Sequence, residues 1–164
     1  MRRGVPLKIW IDNDGCPRLV RDLVFAAATR RSLEVVVVGN TYAKVPLGKL
    51  FSAVCVPGGF DAADDHIAEH VGSGDLVITS DVPLAGRIVS TGAMGLNSHG
   101  TIFTAASIGD QLSSRNLMHE LRGGGMVSGG GPPPFGESEK KRFANALEKI
   151  LDQLRPKRDP STVG

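Results

Sequence analysis

Apolar residues fall along this chain in two rhythms. Short apolar runs at 7–11, 34–38, 52–56 and 76–80 read as strands, the near-continuous one at 7–11 as a buried strand. Between them Leu19, Val20, Leu23, Val24 and Ala27 recur at helical spacing and predict a helix over 17–29. Further helices are predicted over 62–71, 83–91 and 107–122, with short extended pieces at 93–96 and 101–103. Residues 39–50 show no period and read as a connection. The order strand, helix, strand, strand, helix, strand, helix argues an α/β domain, with a mostly parallel sheet and helices on both faces.

Two glycine triplets and Pro132-Pro133-Pro134 interrupt the pattern over 123–136, which can hold neither helix nor strand. Beyond them Phe143, Leu147, Ile150, Leu151 and Leu154 share one stripe and predict an amphipathic helix over 137–154. The chain thus divides into an α/β domain (7–122), a Gly/Pro-rich loop (123–136), a C-terminal helix docking on the same domain (137–154) and a polar tail (155–164).

Composition narrows the class. The 164 residues are 41% hydrophobic and 22% charged, as in a soluble globular domain. No apolar run approaches the roughly 20 residues that span a bilayer, so no membrane partner is expected. No hydrophobic leader follows Arg2-Arg3, and Cys16 and Cys55 are too few for a disulfide framework, so a cytoplasmic protein with reduced thiols is expected. A net charge of +2 argues against tight nonspecific binding to nucleic acid and favours a weak or partner-guided encounter.

The acids are unevenly spread. Of the ten in the first hundred residues, eight are aspartates. Aspartate is a poor helix former, so turns, caps or ligands are implied. Asp12 and Asp14 follow the first strand, Asp61, Asp64 and Asp65 follow the third, and Asp81 follows the fourth. In a parallel sheet these positions share the carboxyl edge, where ligands bind. Aspartates also cap helices. Pro17 and Pro83, as first helical residues, would place the caps at Cys16 and Val82 and leave Asp14 and Asp81 outside them. Two carboxylates about 5 Å apart repel by roughly 3 kcal/mol at an effective dielectric of 20. A group of four needs either raised pKa values or a cation, and an all-oxygen cluster with no paired lysine suits a hard ion, Mg²⁺ or Mn²⁺. Asp12, Asp61, Asp65 and Asp81 are the candidate ligands. Asp14 or Asp64 would orient an attacking water.

The stretches Ile11-Asp12-Asn13-Asp14-Gly15-Cys16-Pro17, Gly59-Phe60-Asp61-Ala62-Ala63-Asp64-Asp65 and Val77-Ile78-Thr79-Ser80-Asp81-Val82-Pro83-Leu84-Ala85 closely resemble the YaiI/YqxD family of bacterial proteins. Gly129-Gly130-Gly131-Pro132-Pro133-Pro134-Phe135 before a terminal helix matches the same family. That family is similar to PIN-like and NYN-type ribonuclease domains. The resemblance implies a single PIN-like domain and a metal-dependent nuclease, with Asp12, Asp61 and Asp81 in the catalytic places and Asp65 and Asp14 supplementing them. RNA is the implied substrate. A non-catalytic RNA-binding module and a small-molecule phosphatase are the alternatives.

Other signals compete. Asp12-Asn13-Asp14-Gly15 with Thr79-Ser80 resembles haloacid-dehalogenase phosphatases, in which Asp12 would be the nucleophile, yet Arg87 is the only basic residue between Ser80 and Arg115 and the acidic pair Asp64-Asp65 comes too early. His66-Ile67-Ala68-Glu69-His70 matches a zinc-peptidase pattern on too short a helix. Lys44, Lys49, Arg87, Arg115 and Arg122 are candidates for phosphate-backbone contacts. Trp10 reads as core.

Overall fold

The computed structural model describes residues 7–14, 16–59, 61–109 and 136–154. Strand β1 (Lys8–Asp12) leads into helix α1 (Arg18–Arg31), followed by β2 (Glu34–Gly39) and β3 (Phe51–Cys55). Helix α2 (Ala62–His70), β4 (Leu76–Ile78), α3 (Val82–Val89), β5 (Met94–Leu96) and β6 (Ile102–Phe103) come next. Helix α4 (Glu137–Leu154) completes the described chain. The helix expected over 107–122 lies outside the described residues from 110 onward, as do residues 123–135 of the Gly/Pro-rich loop and the tail at 155–164.

The strands form one six-stranded sheet in the order β3-β2-β1-β4-β5-β6. The first five run parallel, and β6 closes the edge antiparallel to β5. Alternate side chains explain why the strands read as continuous apolar runs. Ile9, Ile11, Val35, Val37, Leu76 and Ile78 face α1 and α4, whereas Trp10, Val36, Val38 and Val77 face α2 and α3. Two cores therefore sandwich the sheet. Trp10 is 5% exposed and its indole N–H donates to Asp75.

The chain winds from β1 outward to β3, then returns so that β4 pairs with the other side of β1. The carboxyl ends of β1 and β4 therefore flank the point where the winding reverses. In open α/β sheets that is where a crevice forms.

Candidate functional site

Asp12, the last residue of β1, occupies this crevice. It is 6% exposed, and its Oδ2 accepts a 3.0 Å hydrogen bond from Thr79 Oγ1, just beyond the end of β4. The same hydroxyl accepts from the backbone N–H of Asp81 at 3.0 Å. Thr79 thus ties the two strand ends together. Burial pushes the Asp12 carboxyl up to about 7, and the negative charges of Asp64, Asp14 and Asp81 push the same way. Among the described residues, the charged groups acting on Asp12 are all carboxylates. Among the described residues no lysine acts on it, so none stands in the place of the phosphatase-type lysine.

Asp14 is exposed in the turn after β1. Asn13 N–H donates to Val38 O at 2.8 Å, which lays this turn over the end of β2. A Cβ on Gly39 would come within 3.1 Å of Asn13 Cβ, so the glycine is what lets the turn sit so low. Asp12, Asp14, Cys16, Thr79, Ser80 and Ser98 surround a cleft of about 10 Å³, room for a single water-sized body. Ser98 is buried two residues past β5 and was not singled out by the sequence. Its place just after a strand on this edge is the signal that could have found it.

The other aspartates separate. Asp64 is half-buried, and its carboxyl is raised first by burial and then by Asp81 and Asp61. Asp65, expected as a ligand, instead turns outward to pair with Arg87 at 2.9 Å. One helical position swings a side chain by about 100°, so the two neighbours face different sides of α2. Asp61 stands exposed at the N-cap of α2 without a capping side-chain bond. Asp81 corrects the expectation about caps. Helix α3 begins at Val82 with Pro83 second, and Asp81 is itself the N-cap, Oδ1 accepting from Leu84 N–H at 2.9 Å. On α1 the cap is Pro17 rather than Cys16, and it has no capping side-chain bond.

Among the described residues, no three His, Cys, Asp or Glu side chains stand close enough together to ligate one ion. The expected set Asp12, Asp61, Asp65 and Asp81 is therefore not assembled as one shell, because Asp65 pairs with Arg87 and Asp61 points to solvent. What the edge does carry is an excess of negative charge around a buried carboxylate. Burial pushes the Cys16 thiol up to about 12 despite the nearby Arg21, which disfavours its thiolate. His66 and His70 stack on each other at 4.1 Å between centroids, and the His70 ring contacts the His66 carbonyl rather than a ligand.

Comparison with known proteins gives one consistent answer. The model of a family described as uncharacterised, YaiI/YqxD, matches residues 10–153. A UPF0178 protein of Geobacter sulfurreducens is 47% identical over 148 residues, covering 90% of this chain and 98% of its own. One from Pseudomonas fluorescens is 46% identical, covering 90% and 97%. Another, from Paraburkholderia phytofirmans, is 41% identical over 155 residues, covering 94% and 93%. No solved structure matches. Among the described residues, no helix is long and apolar enough to cross a membrane.

Proposed function

This chain belongs to the uncharacterised YaiI/YqxD family, and we propose that it is a divalent-cation-dependent phosphodiesterase acting on RNA, with its reaction site at the β1–β4 crevice. The observation that carries this reading is Asp12: a buried carboxylate, raised to about 7 by burial and further by the neighbouring Asp64, Asp14 and Asp81. Such a buried, like-charged acid is relieved by a proton or by a hard cation, and we take it to be the cation. Mg²⁺ and Mn²⁺ suit an oxygen donor set. Mg²⁺ in particular needs only one or two carboxylates, with waters and substrate phosphate completing its shell.

Asp12 would hold the cation, with Asp64 or Asp81 reaching it directly or through water. Bound there, the ion would polarise a phosphodiester and lower the pKa of an attacking water. Thr79 fixes one Asp12 oxygen and leaves the other for coordination. Asp14, exposed at the rim of the cleft, accepts the proton of the attacking water. Asp61 lies at the outer side of the same edge. The cleft is far smaller than the roughly 300 Å³ or more of a site that encloses a small molecule. That favours a substrate lying across the edge over a small phosphomonoester.

Calorimetric titration with Mn²⁺ of the wild type against Asp12→Asn/Asp64→Asn tests the reading. Micromolar binding by the wild type, absent from a folded variant that also fails to cleave a fluorogenic RNA, is expected. Equal binding by the two, or none by the wild type, removes the cation site and the hydrolase with it.

A further inference from the structure

The cations of this chain divide into those that have partners and those that do not. Arg30, Arg31, Arg87 and Arg142 each pair with a carboxylate at 3.3 Å or less. Arg18, Arg21 and Lys44 form no ion pair among the described residues, and all three line one groove of about 460 Å³ between the first half of α1 and the segment after β2. Asp22 is the one acid in its wall, and Phe25 forms part of its apolar surface. Arg21 donates to Asn13 Oδ1 at 2.7 Å, while its Nε is buried without a partner. The guanidinium of Arg18 and the ammonium of Lys44, both without an ion pair among the described residues, suit phosphate oxygens, whereas the Arg21 Nε is shielded from solvent.

The topology puts this groove beside the reaction site. Helix α1 starts at the carboxyl end of β1, and Lys44 follows the carboxyl end of β2, so both walls rise from the edge that carries Asp12. Asn13, which Arg21 grips, lies in the chain between Asp12 and Asp14. Two residues before Lys44 stands Tyr42, the chain's single tyrosine, 76% exposed and contributing nothing to either core. An exposed aromatic next to a basic groove is the arrangement on which bases of a single strand stack.

We propose that this groove binds the backbone of single-stranded RNA, with phosphates at Arg18, Arg21 and Lys44 and a base on Tyr42, feeding the strand across the acidic edge. The assignment rests on the phosphodiesterase reading for its orientation. The groove also explains how a chain of net charge +2 can hold a polyanion, since the binding charge is local.

The test is fluorescence anisotropy of a labelled 12-nucleotide single-stranded RNA in EDTA across a salt series. It compares the wild type, Arg18→Glu/Lys44→Glu and Lys141→Glu/Lys149→Glu. The last pair changes net charge equally at exposed positions on α4. The groove variant should lose affinity about tenfold or more and its log-log salt slope should shrink by about 1.4, near 0.7 per lost phosphate contact. The α4 variant should stay within about twofold of wild type, and both should melt as the wild type does. Tyr42→Ala should weaken binding at every salt with the slope intact. Binding by the groove variant equal to wild type, an equal loss in the α4 variant, or no binding by the wild type at low salt overturns the proposal. Because binding is read in EDTA, such a failure leaves the Mn²⁺ titration of the wild type to stand or fall separately.

Discussion

Asp12 and Asp75 occupy opposite ends of neighbouring strands, and their surroundings give them opposite work. Asp75 is buried at the amino edge and accepts from Lys8 N–H at 3.0 Å, Trp10 Nε1–H at 3.1 Å and Gly72 N–H at 2.8 Å. Its charge is met by donors, so it is structural. Asp75→Ala strands three donors and should cost about 3 kcal/mol in urea unfolding, with Mn²⁺ affinity unchanged. Asp12 receives a single hydroxyl. Its folded pKa, about 7, exceeds the ordinary 3.8, so between those values the folded state keeps a proton the unfolded state has lost. Stability therefore falls as pH rises from about 4 to 7, and the full loss, up to about 4 kcal/mol, is present above pH 7. Asp12→Asn removes that loss. The variant should match the wild type near pH 4 and exceed it increasingly towards pH 8 in urea unfolding; a wild type equally stable at pH 8 contradicts the burial penalty. Saturating Mn²⁺ should close the gap by stabilising only the wild type. Asp12 was legible in the sequence because it ends an apolar run. The different fates of Asp64 and Asp65 were not, since their direction depends on where α2 lies on the sheet.

At the scale of elements, the stripe of α4 was readable and its docking partner was not. Phe143, Leu147, Ile150 and Leu151 are buried against α1 and the sheet face carrying Ile9 and Ile11. Around that seam Arg30 and Arg31 pair with Glu148, and Arg31 also pairs with Asp152. The apolar contact should dominate. Phe143→Ala is expected to cost about 3–5 kcal/mol, and Glu148→Ala about 1 kcal/mol or less, because its pairs are partly solvated. Parallel urea titrations decide between them. Gly100 shapes the other end of the seam: its φ is +89°, and a Cβ there would lie 3.0 Å from Arg142 O. The turn after β5 can approach the α4 backbone only because that position is bare. Apolar periodicity located α3 but put its first residue one place late, since a proline suits either the first or the second helical position. The antiparallel β6 had no signature either, because two residues are too few to show a direction.

For the whole molecule, parallel order follows from the alternation of elements, and the crevice follows from the reversal of winding at β1. An acidic edge and a basic groove then lie side by side on one carboxyl rim. The two should respond differently to salt. Cleavage of RNA should fall steeply between 50 and 300 mM salt, while turnover of a small phosphodiester such as bis-p-nitrophenyl phosphate should change little, because only the longer substrate reaches the groove. Parallel rate measurements across that range check it, and equal sensitivity would argue that both substrates use the edge alone. Sequence could place the acids on this rim, because each follows a strand. It could not assemble the groove, whose cations come from a helix and a connection without periodicity.

The seam between α1 and α4 also sets a clock. Arg30 and Glu148 are 118 positions apart, so at about 5–20 residues per second a ribosome makes them some 6–24 s apart. Until α4 is made, the sheet face bearing Ile9, Ile11 and Val37 lacks the part of its cover that Phe143, Leu147 and Ile150 supply. Closing this core therefore waits until α4 has been made.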